Sequence, residues 1–339
     1  MLLWNDNFME RRLTAMKIHQ YMQQNERGYY YSVITNDGEE VILSGCGIKM
    51  FDCQKERIVQ TISRFRNAIF ALSHSQNKLF AVNASEKNNI TCIVYERING
   101  SYVEVQRQTI KAVNVNGGGP YFDNDEKSAF FCTAFHDVWR YSIDDGTCTC
   151  IYHAEHPDQM LYMDVYADQL LVTLTSTTHC EHCGIDVLDK NGKCIKSLRY
   201  HDEKAKCANI QGRWLNADEI LIIYPRFYRE PHDEYQIISW RSATLLDYTV
   251  ADWNIERTGS YLAFLCISPM RNYIACVFVN MENNKDRYKV GIYRVKTLEK
   301  VCEFTVKHYR DATFSDNDKY FFLCSDKYLR VDLSTSDTE

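Results

Sequence analysis

Short runs of hydrophobic residues, separated by turn-forming polar residues, recur along almost the whole chain. Residues 312–335 show this pattern most clearly. The apolar run Tyr320–Cys324 is typical of a strand that is buried on both faces. Tyr328–Leu333 then alternates between apolar and polar positions, and the Asp- and Asn-rich segments between these runs predict tight turns. The pattern therefore predicts three short strands at this end of the chain.

Equivalent strand patterns repeat at a nearly constant interval. The ends of the predicted third strands are marked by Phe51, Tyr95, Tyr141, Leu188, Trp240, Tyr293 and Val331, at intervals of 44, 46, 47, 52, 53 and 38 residues. Intervals of about 40–45 residues are typical of propeller blades. A series of β-sandwich domains is the alternative interpretation, but we would not expect it to keep one period across the chain. The pattern favours a propeller of seven repeats.

The last segment resembles a WD repeat in its order of strand, Ser-Asp-Asn-Asp-Lys turn, apolar strand, Ser-Asp-Lys turn and third strand. It departs from that family at Val331, where a Trp is usual, and the chain lacks the family's Gly-His and Trp-Asp dipeptides in these positions. Because a blade needs four strands, we expect the N-terminal strand 14–22 to pair with the last blade and close the propeller. The expected fold is all-β, a seven-bladed WD-repeat-like propeller.

We expect residues 1–339 to form a single domain. It would contain a lead-in segment at residues 1–13, the closing strand at residues 14–22, and seven blades at about 29–62, 66–110, 116–153, 159–200, 207–250, 259–306 and 311–335.

Composition narrows the range of partners and compartments. The chain carries 39 Lys and Arg against 45 Asp and Glu, a net charge of −6, which argues against nucleic acid and anionic membranes as main partners. Asp6 and Glu10 stand where a signal peptide would be apolar, and no apolar run approaches a membrane span. Several of the 14 Cys residues lie inside apolar strands, as at Cys132 and Cys276. Reduced thiols in the cytoplasm are therefore expected.

The loops between second and third strands vary most in length, and in a repeat protein such insertions often mark the binding face. The fifth of these loops contains the candidate binding residues Arg226, Phe227, Tyr228, Arg229 and His232. Tyr and Arg are enriched among the residues that dominate protein interfaces. The alternative is that the aromatic residues of this loop fold back onto their blade.

The sharpest local motif is the fourth loop, with candidate metal ligands His179, Cys180, His182 and Cys183. A tetrahedral zinc site needs four nitrogen or sulfur ligands, and four from five consecutive residues would be cramped. A remote ligand would then be needed, for which Cys194, His201 and Cys207 are available downstream. The alternatives are a redox pair and a solvated loop with no ligand. No other cofactor is expected.

The resemblance to WD repeats implies a non-catalytic scaffold that binds a protein or peptide partner through its loop-bearing rim. The alternative is a propeller hydrolase or lyase with a site at the axial channel, which a metal ion would assist. A third interpretation is a structural domain within a larger assembly. Fold alone does not choose among these functions.

Overall fold

The computed structural model describes residues 17–22, 31–85, 89–112, 119–133, 136–176, 179–199, 211–224, 234–239, 241, 244–245, 260–280, 288–297, 299–325 and 327–333. The chain divides into two compact units. The first contains residues Met1–Leu43, Lys49–Val59 and Thr258–Glu339, and the second contains Ser44–Ile48 and Gln60–Arg257. The expectation of a single domain stays a prediction.

The described residues form seven four-stranded antiparallel sheets, numbered here in chain order. Sheets 2 to 5 lie in the second unit, and sheets 6 and 7 lie in the first together with most of sheet 1. The strands of sheets 1 to 3 are β2 (Tyr31–Ile34), β3 (Glu40–Ser44), β4 (Ile48–Asp52) and β5 (Arg57–Ser63); β6 (Ile69–Leu72), β7 (Lys78–Ser85), β8 (Asn89–Ile98) and β9 (Ser101–Lys111); and β10 (Tyr121–Phe122), β11 (Ser128–Cys132), β12 (Asp137–Ser142) and β13 (Cys148–His153).

Sheets 4 to 7 have the same strand order, except that the last sheet takes its fourth strand from the N-terminal part of the chain. Their strands are β14 (Met160–Tyr166), β15 (Gln169–Thr175), β16 (Gly184–Asp189) and β17 (Cys194–Arg199); β18 (Gln211–Trp214), β19 (Glu219–Tyr224), β20 (Glu234–Ser239) and β21 (Thr244–Leu245); β22 (Ser260–Ile267), β23 (Tyr273–Asn280), β24 (Tyr288–Arg294) and β25 (Lys300–Val306); and β26 (Tyr309–Phe314), β27 (Tyr320–Ser325), β28 (Lys327–Asp332) and β1 (Ile18–Met22).

Strand β1 pairs with β28 in an antiparallel register that sets Ile18 opposite Val331 and Met22 opposite Lys327. The predicted pairing of the N-terminal strand with the last repeat is therefore present, over Ile18–Met22. Residues 14–16 of the predicted strand lie outside the described residues.

Because the strands are antiparallel, the connections between successive strands alternate between the two ends of each sheet. The turn between the first two strands lies at one end, which we call the turn end. The loop between the second and third strands lies at the other, the loop end, and the chain also passes from one sheet to the next there.

At the turn end, five sheets share the same five-residue turn, at residues 35–39, 73–77, 123–127, 268–272 and 315–319. The side chain of the first residue accepts the main-chain N–H five positions later at 2.9–3.1 Å. The fourth residue has a positive φ of 56–70°, at Gly38, Gln76, Glu126, Arg271 and Asp318. At Gly38 a Cβ atom would also meet the Tyr320 ring at 2.9 Å, so this position favours glycine on two grounds.

Hydrogen bonds also join the turns of neighbouring sheets within each unit. In the first unit, Asn317 N–H donates to Asn36 Oδ1 at 2.9 Å, and Ser268 Oγ donates to Asp318 Oδ2 at 2.6 Å. In the second unit, Ser75 Oγ donates to Glu126 Oε2 at 2.7 Å. Some polar groups of the turn end thus hold adjacent turns together.

The hydrophobic core lies between successive sheets. One cluster joins sheets 2 and 3, one joins 3 and 4, and one joins 4 and 5 in the second unit. In the first unit one cluster joins sheets 6 and 7, and another joins sheets 7 and 1. The second and third strands are covered on both faces in sheets such as 1, 3 and 4, so their apolar runs are nearly continuous in sequence, whereas the fourth strands are partly exposed. Over the parts of the chain that the structure describes, no helix is long and apolar enough to span a membrane.

The loops at the loop end range from the single residue 326 to the nine residues 225–233. The loop between the second and third strands of sheet 2 is short. Strands β7 and β8 extend to Ser85 and Asn89, and their pairing continues to the end, which leaves only residues 86–88 as the loop. The long loops are those of sheets 4, 5 and 6.

Candidate functional site

Two neighbouring connections at the loop end of sheet 4 bring histidines and carboxylates together. One connects β13 to β14 and carries Glu155, His156 and Asp158. The other connects β15 to β16 and carries His179, with a short 3₁₀ turn at Cys180–His182. We call His156, Asp158, His179, Glu181 and His182 the histidine cluster. All five residues lie in the second unit.

Asp158 and Gln159 fasten the two connections to each other. Asp158 Oδ2 accepts a hydrogen bond from Ser176 Oγ at 2.5 Å. The other carboxylate oxygen, Oδ1, lies 2.8 Å from His182 Nδ1. Gln159 is 1% exposed, donates to the main-chain oxygen of His182 at 2.6 Å and accepts the N–H of His156 at 2.9 Å. A buried amide with partners on both sides holds the two loops at a fixed distance.

The imidazole rings lie close together. His156 and His182 are stacked, with centroids 3.7 Å apart and an interplanar angle of 7°, and the His179 centroid lies 4.8 Å from that of His182. His179 Nδ1 contacts Glu181 Oε1 at 3.1 Å. A hydrogen bond from its own main chain, and then the one from His179, lower the pKa of Glu181. Half-exposed imidazoles with carboxylate partners suit metal binding and proton exchange.

Of the four predicted metal ligands, the structure brings the two histidine rings together and engages the thiol of Cys183 with main-chain atoms of Ser176 and His179. Cys183 is buried, its Sγ accepts the N–H of Ser176 at 3.2 Å, and the thiol lies 3.8 Å from the Ser176 oxygen. The side chain of Cys180 lies outside the described residues. Among the described residues, no group of three or more His, Cys, Asp or Glu side chains is arranged to hold a metal ion.

The residues that the sequence did not single out are His156 and Asp158. They precede the predicted motif by more than 20 positions, on the other connection. A compositional signal was present, because residues 141–189 contain no Lys or Arg but include Glu155, Asp158 and Glu181. The predicted binding residues Arg226, Phe227, Tyr228, Arg229 and His232 lie outside the described residues.

A second histidine–carboxylate pair lies at the loop end of sheet 3. His153 Nδ1 contacts Asp137 Oδ1 at 2.6 Å, and the His136 ring lies 5.7 Å from the His153 ring. His136 has a φ of 80°, an uncommon left-handed conformation for a histidine. Five of the ten histidines of the chain therefore lie at the loop ends of two consecutive sheets.

A buried carboxyl group on β26 is the other feature that could point to chemistry. Burial raises the pKa of Asp311 to about 7, against the hydrogen bonds from Ser32 and from main-chain N–H groups that lower it. Ser32 Oγ donates to Asp311 Oδ2 at 2.6 Å. Perturbed carboxyl groups are candidates for catalysis, but these contacts join β26 to β2 and explain the group as a structural one.

The pH dependence of stability tests this interpretation of Asp311. The folded state keeps the Asp311 proton to a higher pH than the unfolded chain does. The contribution of Asp311 to the free energy of unfolding is therefore fully present below about pH 4. It is lost as the pH rises towards the folded pKa of about 7. Asp311→Asn cannot ionise, so its stability relative to the wild type is expected to rise across this range, by at most about 4 kcal/mol. Urea denaturation at pH 4.5 and pH 8 measures the change, with the exposed Asp144→Asn as control; parallel pH profiles for wild type and Asp311→Asn would contradict it.

Comparisons with known proteins agree on the fold. No protein family and no curated protein match the chain in sequence. Among solved structures, a chain of hydrazine synthase from Kuenenia stuttgartiensis aligns with a TM-score of 0.68 at 11% identity, covering 93% of this chain and 98% of that one. The C-terminal WD40 domain of Sif2 aligns with a TM-score of 0.53 at 12% identity, covering 89% of this chain and 80% of that one. The prediction of an all-β propeller is confirmed, and the chain has a WD-repeat-like β-propeller fold.

Proposed function

We propose that the protein is a non-catalytic scaffold that binds a protein or peptide partner through the loop ends of its sheets. In this proposal the seven sheets are the blades of one closed propeller, completed by the pairing of β1 with β28. The WD40 domain of Sif2 supports the proposal as a structural neighbour, although at 12% identity it supports it through the fold alone. The net charge of −6 favours a protein partner over nucleic acid.

The observation that carries the proposal is the difference between the two ends of the sheets. At the turn end, five turns have one length and one conformation, and their polar groups bond to each other. At the loop end, the loops vary from one to nine residues. Loops that vary in length at one end of the sheets, opposite an end where five of the seven turns are alike, often mark the binding face of a repeat protein.

The exposed groups of the loop end are suited to polar recognition. The side chains of Glu155 and Glu181 are 74% and 62% exposed, and that of His179 is 54% exposed. Their loops are nevertheless held in place by Asp158 and Gln159. Binding groups on fixed loops lose little conformational entropy when a partner binds. The alternative of an enzyme stays open, because the hydrazine synthase chain aligns with this fold as well.

Charge reversal at the two ends of neighbouring sheets tests the proposal. Glu155→Arg changes the loop end, and replacing residues 225–233 by a short Gly-Ser linker removes the predicted binding residues. Asp144→Arg changes an exposed carboxylate at the turn end of sheet 3 and is the matched control. We expect wild type and Asp144→Arg to recover the same partner in quantitative affinity purification. The two loop-end variants should recover at least about tenfold less of it.

Circular dichroism and thermal unfolding must show that all variants are folded before their partners are compared. Loss of the partner from Asp144→Arg alone would place the interaction at the turn end and refute the proposal. Equal retention by all variants would also refute it.

A further inference from the structure

We propose that the histidine cluster is a binding site for a divalent transition-metal ion, with the imidazoles of His156, His179 and His182 as protein ligands and water completing the coordination. This inference does not depend on the partner proposed above. It replaces the cysteines of the sequence-predicted site with a histidine from the preceding connection.

The carboxylates of the cluster fix which ring nitrogen is available to an ion. An ionised carboxylate only accepts hydrogen bonds, so Asp158 at 2.8 Å and Glu181 at 3.1 Å place the proton on Nδ1 of His182 and His179. The lone pair of each ring then lies on Nε2. Metal-binding histidines in proteins almost always have such a carboxylate or carbonyl partner, which orients the ring and increases its basicity.

Asp158 is itself held in place. Ser176 Oγ donates to its second oxygen at 2.5 Å, and Ser176 Oγ also accepts the main-chain N–H of His179 at 3.0 Å. One serine therefore connects the orienting group of His182 to the backbone of His179. Two of the proposed ligands are positioned by a single hydrogen-bonded network.

The distance between the His179 and His182 rings agrees with two ligands of one ion, whereas the distance between the His156 and His182 rings does not. Two imidazoles bound to one tetrahedral ion at about 2.0–2.1 Å have ring centroids about 5 Å apart, and the His179 and His182 centroids are 4.8 Å apart. The His156 ring is parallel to that of His182 at 3.7 Å, too close for both to face one ion. As they stand, the three rings do not surround one point, so in our proposal His156 turns out of the stack when the ion binds.

The local charge favours a cation. Residues 141–189 contain no Lys or Arg, and the two connections of the cluster carry Glu155, Asp158 and Glu181. Imidazole with carboxylate support suits zinc, nickel, copper and ferrous iron better than calcium or magnesium, which prefer oxygen ligands. Cys183 is not used, because its thiol is buried and engaged with the backbone of Ser176.

Calorimetric titration with zinc chloride tests the proposal on protein purified without a histidine tag and freed of metal with a chelator. We expect one zinc ion per chain in the wild type and in the control His308→Gln, whose exposed histidine lies in the first unit. His179→Gln and His182→Gln should lose binding. Asp158→Asn should bind about 10–100-fold more weakly, since outer-shell partners typically contribute that much.

Cobalt provides a second readout, because its visible absorption reports tetrahedral coordination and does not depend on heat signals. Wild type should develop this absorption and His182→Gln should not, while the unfolding temperatures of the metal-free proteins stay alike. Absence of zinc binding by the wild type would overturn the proposal. Binding that survives in His179→Gln and His182→Gln but is lost in Cys180→Ser would overturn it as well, in favour of a thiolate site.

Discussion

Removal of strand β1 by deletion of residues 1–22 is expected to destabilise the protein by about 3–5 kcal/mol, the range found when a large core side chain is lost. Tyr21 is 5% exposed and packs edge-on against Phe51 at 5.8 Å, and Phe51 packs against Tyr328 at 5.2 Å. Without β1, strand β28 becomes an uncovered sheet edge, which invites pairing with other chains. Urea denaturation and light scattering measure the two effects.

A pair of proline substitutions tests the pairing of β1 more finely. Asp332 N–H donates to the Lys17 oxygen at 3.1 Å, so the alternation of an antiparallel ladder makes His19 and Arg330 a hydrogen-bonded pair and leaves the N–H of Gln20 on the outer edge. His19→Pro therefore removes a ladder bond and should cost about 1–3 kcal/mol. Gln20→Pro should be tolerated better, because proline is accepted where the N–H faces outward. Equal effects of the two substitutions would contradict the register.

Phe80→Ala is expected to destabilise the second unit by about 3–5 kcal/mol. Phe80 is fully buried in the cluster between sheets 2 and 3. Its ring lies 6.4 Å from Phe122, 6.1 Å from Phe131 and 5.0 Å from Tyr141. Removing this ring leaves a cavity bordered by side chains of two sheets, so the cost includes both lost burial and lost packing between the sheets.

Two control variants separate this effect from a general sensitivity of sheet 2. Val103 lies on β9 and is 46% exposed, so Val103→Ala should change the free energy of unfolding by less than about 0.5 kcal/mol. Phe80→Leu keeps most of the buried volume and should cost less than Phe80→Ala. Urea unfolding of the three variants measures these differences. If Phe80→Ala is no more damaging than Val103→Ala, the two sheets do not pack through this cluster.

The sequence predicted the turns well because each turn is determined locally. Ser315 was placed at the start of a turn from its neighbours alone, and in the structure its hydroxyl accepts the N–H of Tyr320. The same local chemistry recurs at Thr35, Ser73, Asp123 and Ser268. Since these bonds lie within six consecutive residues, their pattern is visible without knowledge of tertiary contacts.

The histidine cluster was predicted only in part because it depends on contacts between two connections. His179 and His182 are close in sequence and were recognised together. Asp158 meets His182 only because both connections emerge at the same end of sheet 4. The burial of Cys183 was likewise not predictable, because the spacing of a Cys-x-x-Cys motif does not show the direction in which each thiol points.

Photo-crosslinking from the two ends of neighbouring sheets tests the central claim most directly. A photoreactive phenylalanine analogue is placed at position 155, at the loop end, and in a second protein at position 144, at the turn end; both native side chains are exposed. After irradiation of cells that express each protein, our account predicts discrete cross-linked adducts from position 155 and none from position 144. Adducts that form from position 144 alone would contradict the assignment of the loop end as the binding face.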